Sequence, residues 1–94
     1  MLSRARRLGF VVRGRVQGVA FRAYARDEAR RLALTGFVMN RADAAVEGEV
    51  QGDSRAVEAF ADWLRQGPPS ARVDEVRIAE LAVDDAEQSF VVRR

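Results

Sequence analysis

Gly14-Arg15-Val16-Gln17-Gly18-Val19-Ala20-Phe21-Arg22 is the stretch of this chain best suited to hold an anion. Gly14 and Gly18 leave the backbone flexible, Arg15 and Arg22 carry positive charge, and the segment leads into an expected helix start. Successive loop N–H groups and the positive end of a helix dipole favour an anion there. The planar guanidinium of Arg22 can match phosphate oxygens. Taken alone, the stretch reads more readily as an ordinary strand–helix turn with a surface arginine. Asn40 is a second polar candidate, and by itself it reads as a strand-end amide bonded to backbone.

The missing residue types narrow the chemistry. None of the 94 residues is cysteine, histidine or lysine. Disulfides, thiolate catalysis, cysteine-based zinc sites and lysine Schiff bases are excluded, and the commonest general base and metal ligand is lacking. No metal and no cofactor are expected. Asp84, Asp85 and Glu87 read as a solvated turn rather than a metal site. Asp27 and Glu28 read as surface ion-pair partners rather than an acid/base pair. Trp63 reads as core or semi-buried packing rather than a ligand platform.

These residues need a scaffold, and the composition allows one soluble globular domain spanning 1–94, with 1–7 as a loose N-terminal segment. Apolar residues make up 48% and charged residues 32%, with a net charge of only +2. Arg4-Arg6-Arg7 and Arg93-Arg94 read as solvated termini, not a nucleic-acid patch. No apolar run serves as a signal peptide or a membrane span, so the cytoplasm is the default compartment and no membrane partner is expected.

Residue patterning sets out the elements. Leu8–Arg13 predicts a strand. Arg22–Leu34 predicts a helix, with Ala25, Ala29 and Leu32 continuing the face of Phe21, Asp27 and Arg31 one turn apart outside, and Gly36 as its terminating glycine. Phe37–Asn40 and Ala45–Gln51 predict strands, the latter alternating. Asp53 or Ser54 caps a second helix whose buried stripe is Val57, Phe60, Ala61 and Leu64, ended by Gly67-Pro68-Pro69. Val76–Leu81 and Ser89–Arg93 follow as strands about an Asp84-Asp85 turn. The order βαββαβ plus a short C-terminal strand predicts a ferredoxin-like α+β sandwich. Two helices would then cover one face of a mostly antiparallel sheet.

Two signatures go further. Gly14-Arg15-Val16-Gln17-Gly18-Val19, followed by Phe21-Arg22, resembles the first signature of the acylphosphatase family. Gly36-Phe37-Val38-Met39-Asn40, with Val46 and Gly52, resembles the second, and Gly67–Asp74 is similar to the family's segment after helix two. The resemblance implies the ferredoxin-like fold and metal-free hydrolysis of small acyl phosphates. It implies that the loop Arg15–Phe21 and Arg22 bind the phosphoryl group and that Asn40 orients the attacking water. Such chemistry suits this chain. Phosphoryl transfer needs positioning and charge stabilisation more than covalent help, and a carboxylate leaves without a general acid. One departure is Ala44, where the second signature usually has glycine in a tight turn.

A small acyl phosphate is therefore the expected partner of a monomeric hydrolase, with inorganic phosphate or sulfate as competing anions. The alternatives are a non-catalytic phosphate- or ligand-binding module, a domain of a larger carbamoyl-transfer enzyme, and an RNA-binding module. The last is disfavoured, because Phe10, Phe37 and Phe90 do not form the aromatic, glycine-rich strand pattern of RNA readers.

Overall fold

The computed structural model describes residues 5–94. The elements run β1 (Ala5–Arg15), α1 (Phe21–Arg31), β2 (Thr35–Asn40), β3 (Val46–Asp53), α2 (Ser54–Gln66), β4 (Arg72–Leu81) and β5 (Phe90–Val92). The five strands form one sheet in the order β4-β1-β3-β2-β5. All pairings are antiparallel except β2 with β5. Two helices packed on such a sheet make the expected ferredoxin-like α+β arrangement.

The core lies between the helices and the sheet. Leu8, Phe10 and Val12 alternate toward it from β1, as the period of a strand requires. Phe21, Ala25 and Ala29 supply the stripe of α1, and Val57, Phe60, Ala61 and Leu64 supply that of α2. Phe60 is the hub. Its ring meets Phe10 edge-on at 5.7 Å and stacks obliquely on Trp63 and Phe90. Trp63 in turn packs on Phe21 at 5.6 Å, in its expected semi-buried place. That contact anchors the first turn of α1, where Arg22 follows.

Several local expectations need correction. Residues 1–4 of the expected loose segment, Arg4 among them, lie outside the described residues, but 5–7 belong to β1. Arg7 is no solvated charge. Its side chain points to the sheet face away from the helices, and the residue is 5% exposed. It donates to Glu87 at 2.8 and 3.0 Å, to Glu49 at 2.8 Å and to Gln51 at 3.1 Å. Arg6 pairs with Glu58 and Glu80. Glu87 therefore leaves the expected solvated turn to hold the β4–β5 connection against the sheet. Gln51 reinforces this by exchanging two hydrogen bonds with the Asp84 backbone, at 2.7 and 3.0 Å.

On α1, Arg31 pairs with Glu28 and not with Asp27, which takes Arg26. Asp53 is the cap of α2, accepting from the Arg55 N–H at 3.1 Å. The glycine expected to end α1 is inside β2. A Cβ on Gly36 would sit 2.0 Å from the Glu49 carbonyl oxygen, so the close approach of β3 requires glycine. The left-handed residue after α1 is instead Ala33, with φ +58°. Ala44 likewise takes φ +72°. Its N–H donates to the Arg41 carbonyl, so the β2–β3 loop is a turn closed by a left-handed residue.

Candidate active site

Near its end β1 has a register shift between Arg13 and Gly14. A Cβ on Gly14 would meet the Arg72 carbonyl oxygen at 2.1 Å, so the close approach of β4 requires glycine at this irregularity. The loop that follows turns through left-handed Gly18 and Ala20, at φ +74° and +59°. Alternating hands turn successive N–H groups toward one concave side. Among the described residues, the N–H groups of Gln17, Gly18, Val19 and Ala20 donate to no protein acceptor. Ala20 starts α1 without any side-chain cap, which leaves the first-turn N–H groups open as well.

A cavity of about 270 Å³ lies over this loop. Val16, Gln17, Gly18, Ala20, Phe21, Arg22 and Asn40 meet at it, together with Arg26 and Val92. Arg15 and Val19 do not line it. Arg15 is exposed in register with Arg72, and Val19 packs against the core. Arg22 is half-buried, forms no ion pair among the described residues, and donates to the Arg93 carbonyl at 3.3 Å. Asn40 comes from the last position of β2, opposite Val46. Its Oδ1 is buried without a hydrogen-bond partner. A buried acceptor left unpaired costs about 1–3 kcal/mol, so this strand-end amide is kept at some expense of stability.

Two features escaped sequence reasoning. Gln17 commits its amide to the β2–β3 turn, where Nε2 donates to the Arg41 and Ala45 carbonyls at 2.9 Å each. Nothing in its spacing signals that. Arg26 also lines the cavity, and its position four residues after Arg22 could have revealed it.

With neutral amides, free N–H groups and guanidinium charge in one recess, the arrangement can bind a tetrahedral oxyanion and hold a water beside it. Among the described residues, no group of three histidine, cysteine, aspartate or glutamate side chains could hold a metal ion. No helix there is long and apolar enough to cross a membrane.

The acylphosphatase family model matches residues 8–92. An acylphosphatase of Anaeromyxobacter dehalogenans is 54% identical over 72 residues, covering 77% of each chain. One of Methylococcus capsulatus is 44% identical over 89 residues, 95% of this chain and 97% of the relative. The structure of an acylphosphatase from Coxiella burnetii superposes with a TM-score of 0.90 at 37% identity, over 95% of this chain and 93% of that one.

Proposed function

This chain belongs to the acylphosphatase family, an enzyme of acyl phosphate hydrolysis, and we propose that Arg22, the loop and Asn40 divide that reaction between them. The guanidinium of Arg22 and the N–H groups of the loop hold the phosphoryl oxygens. Asn40 orients the water. The water oxygen bonds to phosphorus as the bond from phosphorus to the acyl oxygen breaks. The carboxylate leaves with that electron pair, and both water protons stay with the product dihydrogen phosphate. An acyl phosphate dianion and water thus give two monoanions, with no general acid and no metal in the balance.

The observation that carries this reading is the meeting of Arg22, Asn40 and the loop at one cavity, with Asn40 Oδ1 left without a protein partner beside it. Preorganised groups of this kind act where charge and nucleophile must be placed. A monomer is the working unit in this scheme. Inorganic phosphate and sulfate, which fit the same N–H groups, should compete with substrate.

The test is phosphate release from benzoyl, acetyl and carbamoyl phosphates, with and without excess chelator. Release from at least one, insensitive to chelator and inhibited by added phosphate, is the expected result. Activity that chelator abolishes and added metal restores would overturn the metal-free scheme.

A further inference from the structure

Arg22 and Arg26 lie four residues apart on α1, and they are the charged residues among those lining the cavity; no carboxylate lines it. Residues at this spacing are neighbours on one helix face, offset by about 6 Å along the axis. The scheme above uses Arg22 alone. Among the described residues, Arg26 is held only by Asp27, its chain neighbour, through a single Nε–Oδ1 contact of 3.1 Å. That carboxylate is 68% exposed, so the pair is screened and weak. The terminal nitrogens of the Arg26 guanidinium have no protein partner among the described residues.

The phosphoryl dianion already has Arg22, the loop N–H groups and the start of α1. A second, loosely held guanidinium one turn farther from the loop lies within reach of the acyl portion instead. Resting on the reading above, we propose that Arg26 is a specificity residue favouring acyl phosphates whose acyl group carries a second anionic group. A neutral acyl group would leave this charge to the solvent. A carboxylate on it would gain a charge-assisted, fork-like contact.

The experiment compares kcat/KM for 3-carboxybenzoyl phosphate with that for benzoyl phosphate. The two share the reacting anhydride, and a carboxylate at the meta position cannot attack its own acyl carbon. The ratio of the two constants is the readout. Arg26→Gln should lower it by about three- to tenfold, the scale of a partly screened charged hydrogen bond. Arg26→Lys should keep part of it, and Arg26→Glu should lower it further. Asp27→Asn, which releases Arg26, should raise it. Added salt should shrink the wild-type ratio. An equal loss on both substrates in Arg26→Gln would make Arg26 a phosphate anchor and overturn the proposal, as would an unchanged ratio in Arg26→Glu. Wild-type protein that releases no phosphate from either substrate would instead bring down the underlying function.

Discussion

Gln17 donates from Nε2 to the carbonyl oxygen of Arg41 at 2.9 Å, so the loop before α1 is fastened to the residue that follows Asn40. The same nitrogen reaches the Ala45 carbonyl, across the neck of the β2–β3 turn. The loop and the strand end are thereby held in one frame. Gln17→Met keeps the side chain's length and removes both donors. It should cost about 1–2 kcal/mol of stability, the scale of two part-buried hydrogen bonds. It should also lower kcat more than it raises KM. Urea unfolding and steady-state kinetics on the same preparation check both; an unchanged kcat would confine Gln17 to stability.

Arg22→Ala should reduce turnover by about 10³ or more, as for other arginines that stabilise a transferring phosphoryl group. Arg22→Lys should also be poor, because an ammonium lacks the planar fork. Both should weaken phosphate as a competitive ligand, which calorimetry measures directly. A folded, nearly fully active Arg22→Ala protein would place the site elsewhere.

Asn40→Ala should separate activity from both stability and phosphate affinity. Losing one positioned polar group should lower turnover by about 10²–10³. Phosphate binding should change little, because the loop and Arg22 remain. Stability should hold or rise slightly, since the variant deletes an acceptor that has no partner in the folded chain. A large loss of phosphate binding, matching that of Arg22→Ala, would refute the proposed division of roles.

Acid should loosen the β4–β5 connection. The hydrogen bond from Arg7, the largest influence, holds the Glu87 carboxyl below its ordinary value of 4.5. Its contribution is therefore complete above that value and disappears as pH falls through the lowered native one. Glu87→Gln should cost about 1–2 kcal/mol at neutral pH, allowing for solvent screening. The difference from wild type should close as the solution is acidified. Denaturation midpoints across the acid range test this; a constant gap would point to packing rather than charge.

Ala44→Gly should stabilise the protein by about 0.5–1 kcal/mol. The left-handed conformation costs a non-glycine residue about 1–2 kcal/mol, partly offset by the greater unfolded-state entropy of glycine. Ala33→Gly, at φ +58°, should behave alike. Thermal unfolding of the two variants provides the check.

Local patterning made much of this molecule legible. The stripe Val57, Phe60, Ala61, Leu64 and the cap Asp53 depend on helical spacing and side-chain chemistry a few residues apart, and both occur as expected. Arg22 and Asn40 stood out through two signatures, and the fold brings them to one cavity. The burial of Arg7 was not legible, because its partners Glu49 and Glu87 are distant along the chain and the alternation of β1 does not reveal what covers its second face. Gly36 misled for a related reason. Its neighbour across β3 demanded a missing side chain, while Ala33 took the left-handed position that usually selects glycine. The loop before α1 was recognisable as a loop, but the tie made by Gln17 depends on carbonyls of the β2–β3 turn, which sequence spacing does not bring near.

The place of β1 between β3 and β4 bears on how the chain is made. Made before both neighbours, β1 finds one of them only after β3 has emerged. The second is not complete until Leu81, which pairs with Arg7, has followed. The β2–β3 hairpin carrying Asn40 can close on itself early, whereas the loop carrying Arg22 has no fixed support until β1 is clamped from both sides. Such distant pairings slow folding, because the chain must be ordered before they form. The two walls of the cavity thus mature at different times during synthesis, with the Arg22 side fixed later than the β2–β3 hairpin.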